Sequence, residues 1–223
     1  MPIGHYGTMI DKLSDLLSLI TLFAVTTAFH LLGQVIAALL ARAKIEEVCL
    51  FYGRTLFRVK TPAFSVAIGM IPTGGSVKFD SSFQGRSLFT NWFISLSGPL
   101  FMLVSSAVAL KSDVTLSAFL SGFEQIIRGS IAPLAYGEPL IHTFFERYVD
   151  TSIIKAYGLL AAKLAAYNLL LFPILNGGQP IAALMPRFHD KRLGITVMLV
   201  STLIVAAILA IWGIALIAYI FRD

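Results

Sequence analysis

The chain has 223 residues, 57% hydrophobic and 13% charged, with a formal net charge of +5. Soluble domains carry about 45–50% apolar and about 25% charged residues, so this composition and a mean hydropathy of +0.83 exclude an ordinary soluble globular protein, and equally a disordered, collagenous or coiled-coil chain. In so apolar a chain the basic excess marks cytoplasmic loops rather than a nucleic-acid surface, and the single cysteine, Cys49, permits neither an internal disulfide nor a cysteine-based metal spacing.

A membrane span needs about 20 mostly apolar residues. The first predicted transmembrane helix covers about residues 14–41, where Leu16 to Ala41 is free of Asp, Glu, Lys and Arg. It starts too late and runs too long for a signal peptide, and no small-residue cleavage site follows it. A β region over about 45–80 comes next. Phe64, Val66, Ile68 and Met70 alternate with Ser65, Ala67 and Gly69, and the same period of two recurs at Phe57–Lys60 and Ser76–Asp80. That period predicts strands of a small antiparallel sheet, with Pro72-Thr73-Gly74-Gly75 as a turn between two of them.

A second transmembrane helix is predicted over about 87–110, followed by an extracytoplasmic loop over about 111–154. Within that loop Leu116 to Ile127 reads as a short amphipathic helix on the membrane surface. The loop is too short for a typical independent domain. A third span, about 155–175, is apolar apart from Lys163, which is expected either to snorkel outward or to face a partner. A fourth covers about 194–221. The fold class is therefore an α-helical polytopic membrane protein of about four transmembrane helices, with a small antiparallel sheet after the first.

Loop charges give the orientation. The first loop carries seven basic residues (Arg42, Lys44, Arg54, Arg58, Lys60, Lys78, Arg86) against Glu46, Glu47 and Asp80. The second carries Lys111, Arg128 and Arg147 against five acids, and the third has Arg187, Lys191 and Arg192. By the positive-inside rule the first and third loops face the cytoplasm and both termini lie outside.

Polar groups within spans are candidates for function. His30 and Gln34 share one helical face at spacing four. Asn168 lies in the third span, and Asn176-Gly177-Gly178 breaks its cytoplasmic end. His30, Gln34 and Asn176 are expected at similar depth, where they can converge as a polar cluster joining the first and third spans. Helix packing through hydrogen bonds accounts for such groups as readily as a binding site does. His5, His142 and His189 fall outside the core spans.

Four motifs now stand in order. His30-Leu31-Leu32-Gly33-Gln34 falls where a zincin helix reads H-E-x-x-H. Gly69 to Phe79, with Gly74 and Gly75, resembles the glycine-rich strand motif of the site-2 proteases, the intramembrane zinc metalloproteases. Ser97-Gly98-Pro99-Leu100 resembles their A-G-P-[IL] motif. Asn168 to Gly178, with Pro173, Asn176 and Gly177, resembles their N-L-L-P-x-P-x-L-D-G-G motif. The set covers nearly the whole chain and is similar to the bacterial four-helix branch, without the PDZ domains that the second loop is too short to hold. The resemblance implies an integral protein of the bacterial plasma (inner) membrane.

The same resemblance marks departures. In the family, both histidines of H-E-x-x-H and the aspartate of L-D-G bind zinc, and the glutamate is the general base. Here His30 keeps the first position, Leu31 stands for the glutamate, Gln34 for the second histidine and Asn176 for the aspartate. One imidazole and two carboxamides are a poor donor set for catalytic zinc, the charge-balancing carboxylate is gone, and Leu31 cannot take a proton from water. The expectation is a catalytically inactive member without zinc or another cofactor. It would act as a binding or scaffold protein or as a subunit of a larger membrane complex, holding transmembrane segments or membrane protein partners within the lipid bilayer. Gly74, Gly75, Asn168, Pro173 and Gly177 would supply framework and peptide-binding positions. The alternative is an active intramembrane metalloprotease with an atypical site, or one completed by a partner's ligands. A transporter built on the polar cluster has little support from so few charges.

Overall fold

The computed structural model describes residues 9–81, 87–149, 152–179 and 191–221. Arg86, Arg187, His5 and His189, all named above, lie outside the described residues. Helix α1 spans Met9–Leu40 and ends where Arg42 takes a left-handed φ of 51° while the Ala43 N–H reaches back to the Ala38 carbonyl at 2.8 Å. This is the tight reversal with which helices commonly finish, and it turns the chain straight into strand β1, Ile45–Lys60.

Strands β1 and β2, Ser65–Phe79, form a two-stranded antiparallel sheet. The first half of β1 faces two segments of β2: Val48 pairs with both Val77 and Val66, and Cys49 with both Ser76 and Ala67. The strands are therefore bent back on themselves, and left-handed φ values at Phe51 (69°), Gly53 (86°) and Gly74 (62°) supply the bends. The expected turn at Pro72–Gly75 is a register shift inside β2 rather than a break between strands. The reversal lies at residues 61–64 instead, where Thr61 Oγ1 donates to the Phe64 carbonyl at 2.6 Å and accepts from the Phe64 N–H at 3.1 Å. Such a hydroxyl-closed turn carries a weaker sequence signature than Pro-Thr-Gly-Gly.

Helix α2, Leu88–Leu110, is capped by Ser87, whose side chain accepts from the Thr90 N–H. Helix α3 follows almost at once over Ser112–Ile131. It is longer than the surface helix expected at 116–127 and packs on the core: Gly122 approaches Ala166 so closely that a Cβ would stand 3.0 Å from the alanine methyl. Residues 133–149 of the expected loop are helical too, as two π-helical turns (Pro133–Gly137, Phe145–Val149) around α4, Glu138–Phe144.

Helix α5, Ile153–Asn168, is the inner helix of the bundle; Ala156, Gly158, Ala161, Ala162, Ala165 and Ala166 are buried along it. Small side chains let neighbouring backbones approach. At 16 residues it is about 24 Å long, which corrects the continuous span expected to residue 175. Pro173 explains the difference. It has no N–H for the Leu169 carbonyl, and it pushes Phe172 out of helical geometry, a stop that an apolar average does not register. Residues 169–177 form turns instead, held by the Leu175 N–H on the Phe172 carbonyl (2.8 Å) and the Gly177 N–H on the Asn168 carbonyl (2.9 Å).

The last helix, α6, spans Lys191–Phe221. Three helices, over Asp11–Leu40, Leu88–Leu110 and Arg192–Phe221, are long and apolar enough to cross a membrane. With their many exposed leucines, isoleucines and valines, they make this an integral membrane protein. One hydrophobic cluster (Leu31, Ala37, Ala38, Ala43, Ile45, Val48, Ile94) joins α1, β1 and α2, and a second (Ala118, Leu159, Ala162) joins α3 to α5.

Candidate functional site: a neutral polar cluster between α1, α2 and the 169–179 turn

His30 projects from α1 and is 9% exposed. Its ring lies against α2 at Gly98, where a Cβ would come within 2.6 Å of Cε1 and 2.8 Å of both ring nitrogens. Only glycine leaves room for the imidazole there. On one side, Nδ1 lies 3.3 Å from Sδ of Met102, a residue with no exposed surface. On another, the Asn176 carboxamide stands close enough to interact with the ring.

Asn176 also donates through Nδ2 to the Ser95 carbonyl at 2.7 Å. Ser95 precedes Pro99 by four residues, so its carbonyl is the one that Pro99, lacking an N–H, leaves without a helical partner. The two halves of Gly98-Pro99 thus serve the same cluster: the glycine seats His30 and the proline frees an acceptor for Asn176. The Ser95 hydroxyl donates in turn to Gln179 Oε1 at 2.8 Å, tying the end of the turn to α2.

The other expected positions are placed as follows. Leu31 is 3% exposed and belongs to the first hydrophobic cluster. It packs on the sheet, since a Cβ at Gly75 would stand 2.8 Å from its Cδ1 and 2.7 Å from the Cys49 carbonyl. Gln34 is half-buried, and its side chain is not among the hydrogen-bond partners of His30 or Asn176; the structure brings together His30 and Asn176 but does not draw Gln34 into their network. Gly74 holds its left-handed φ with the Tyr52 ring against it, and the Tyr52 hydroxyl donates to the Gly75 carbonyl at 2.9 Å. Desolvation raises the Tyr52 phenol above its ordinary pKa, the bond to Gly75 opposing part of that rise, so it remains a neutral donor.

Asn168 closes α5. Its Nδ2 donates to the Leu164 carbonyl at 2.8 Å and its own carbonyl accepts from Gly177. Gly177 sits so tightly that a Cβ would fall 2.2 Å from the Leu169 carbonyl oxygen, and Pro173 is half-buried in the turn beside it. Lys163 does not extend outward; its amine donates to Gln125 of α3.

Sequence reasoning missed Ser95, Met102 and Gln179. For Ser95 the signal was available, because a proline inside an apolar helix identifies the orphaned carbonyl four residues earlier. Met102 stands four residues after Gly98, on the same helical face. Gln179 carried no signal of its own.

Among the described residues no three His, Cys, Asp or Glu side chains come together as a metal-binding group. What the cluster offers is hydrogen bonding: one imidazole, a thioether, a carboxamide and a hydroxyl, all without formal charge while the imidazole is neutral.

Comparison with known proteins agrees with the family resemblance. A Thermotoga maritima protein named "Putative zinc metalloprotease" is 27% identical over 146 residues, which cover 56% of this chain and 29% of that relative. The chain therefore spans well under half of the length of this curated relative. The family model described as peptidase family M50 matches residues 18–212, which takes in most of α1, the sheet, α2 to α5 and most of α6, and on that match the chain belongs to peptidase family M50, the family of the site-2 proteases.

Proposed function

We propose that this chain is a proteolytically inactive M50 protein that binds membrane partners or serves as a subunit of a larger membrane assembly. The observation that carries the reading is Leu31. At the position of the family's general base stands a side chain that cannot move a proton, sealed in the hydrophobic cluster against Gly75. The donors beside His30 point the same way. Catalytic zinc takes three protein ligands and keeps one open position; next to this imidazole are a thioether and a carboxamide already engaged with Ser95, and carboxamide oxygen is a weak zinc ligand. The residues present do not fit that metal.

The framework, by contrast, supports binding. Residues 52–60 of β1 are exposed throughout, and an exposed strand can accept an extended segment as a further strand. The family resemblance supports the plasma membrane of a bacterium as its location, and, with α5 taken as a short fourth span, the loop charges support both termini outside the cytoplasm.

Co-expression with a tagged single-span membrane substrate tests the reading. The expected result is the same fragment pattern for the parent chain and for His30→Ala. A specific cleavage product that disappears in His30→Ala would overturn it and establish the alternative, an M50 protease working through an atypical site, as the name of the Thermotoga relative would suggest.

A further inference from the structure

About 15 Å along α1 from His30, the last turn of α1 and the first turn of α2 leave an open groove of about 370 Å³ between them, lined by Leu40, Ala41, Phe89, Thr90 and Phe93. Sites for small ligands usually measure about 300–1,000 Å³. The wall is apolar and accessible: Leu40 is 71% exposed, Phe89 76% and Phe93 42%. Both helices are long and apolar enough to cross a membrane. The 23 residues of α2 reach about 34 Å, close to the ~30 Å thickness of the hydrocarbon layer. Its first turn, and the groove with it, therefore stands at the boundary between acyl chains and headgroups.

The chain turns basic at this end, which the positive-inside rule makes the cytoplasmic one. Arg42 and Lys44 follow Ala41 and are both exposed. Lys44 stands 3.8 Å from Asp80 with 77% of its side chain still exposed, so its ammonium keeps donors for a further acceptor. Of the acids that come next, Glu46 is exposed, and Glu47 is taken by Arg58 at 2.8 Å and Lys78 at 3.2 Å.

An occupant that matches this order is apolar on its membrane side and anionic at the surface. A partner's helix needs more contact than one turn, and Phe89 to Phe93 spans about 6 Å. A lipid needs no more than that, because the rest of its chain lies in the bilayer. Basic pockets between helices on the cytoplasmic side are suited to anionic headgroups. We propose that this groove binds an anionic phospholipid of the cytoplasmic leaflet, with one acyl chain against Leu40, Phe89 and Phe93 and the phosphate within reach of Arg42 and Lys44. The inference holds whether or not the chain cleaves a substrate.

The full chain, stripped of lipid in mild detergent, is titrated with phosphatidylglycerol or with phosphatidylcholine of the same acyl chains, and bound lipid is counted by native mass spectrometry. Phosphatidylglycerol should bind about tenfold more tightly, the scale of one hydrogen bond to a charged group. The preference should vanish in the double variant Arg42→Asn, Lys44→Gln, in which asparagine tolerates the left-handed φ of position 42. It should persist in Arg54→Gln, Lys60→Gln, which removes as much charge from the exposed part of β1. Phe89→Ala, Phe93→Ala should weaken both lipids several-fold while the circular dichroism of the chain stays unchanged. Equal binding of the two lipids, a preference that survives loss of Arg42 and Lys44 or disappears with Arg54 and Lys60, or undiminished binding without the two phenylalanines would overturn the proposal. So would competition by glycerophosphoglycerol, the headgroup without chains, at the concentration at which the whole lipid competes, because the groove would then contribute nothing.

Discussion

At the scale of single residues, two adjacent positions of α2 do different work for one cluster. Gly98→Ala places a methyl 2.6 Å from the His30 ring, and overpacking of this kind costs about 1–3 kcal/mol; unfolding in detergent followed by circular dichroism should show that loss of stability. Pro99 and Asn176 should be energetically coupled. Asn176→Ala strands the Ser95 carbonyl, an expected loss of about 1–3 kcal/mol. In a Pro99→Ala background the new N–H can take the Ser95 carbonyl, so Asn176→Ala should cost about 1 kcal/mol less there. Strictly additive losses in the double-mutant cycle would contradict the assignment. The orphaned Ser95 carbonyl was available in the sequence, since proline's missing donor names its acceptor by position alone; that Asn176 takes it was not, because that bond joins residues 81 positions apart. The place of Gln34 was not. Spacing four puts it on the face of His30, but which side chains meet across helices depends on how α1 and α2 rotate against each other, and periodicity does not encode that rotation.

At the scale of elements, the sheet and the 169–179 turn are what the glycines make possible. Gly75 has Leu31 of α1 on one side and the Cys49 carbonyl on the other. Gly75→Val should therefore separate the sheet from α1. Limited proteolysis between residues 53 and 64 should become faster, while the α-helical signal stays close to that of the parent; unchanged protection would show that Gly75 is not the contact point. The alternating segments around residues 57–60, 64–70 and 76–80 were readable because period two is a local property. The fold of each strand back on itself was not, because it is set at Phe51 and Gly53 by backbone angles that no side-chain pattern announces. The premature end of α5 belongs here too. Pro173 was in plain view, but a hydropathy window weighs side chains and not the missing N–H that stops a helix.

At the scale of the whole molecule, α1, α2 and the 169–179 turn enclose the cluster, while α6 is joined chiefly through the 133–149 region and at its own far end. Tyr219 stacks on Phe145 with centroids 5.2 Å apart, its hydroxyl donates to Asp15 at 2.5 Å, and Lys12 donates to its carbonyl. Tyr219→Ala should weaken the hold of α6 on the start of α1, so cross-linking between cysteines introduced at positions 16 and 218 of a Cys49→Ser chain, with Asp15 and Tyr219 kept, should be compared with cross-linking of the same pair in Tyr219→Ala. A marked fall in yield is expected, and an undiminished yield would assign the attachment elsewhere.

The three long apolar helices were legible because hydropathy is written along the chain. The attachment of α6 was not, since it joins residues about two hundred positions apart. What the arrangement adds to the motifs is a centre in which His30 is answered by neutral groups. The most direct test is the zinc content of the full chain, purified in mild detergent without chelator after growth with added zinc and measured by mass spectrometry beside His30→Ala. The account predicts substoichiometric zinc, equal in the two proteins. One zinc per chain, lost in His30→Ala, would contradict it.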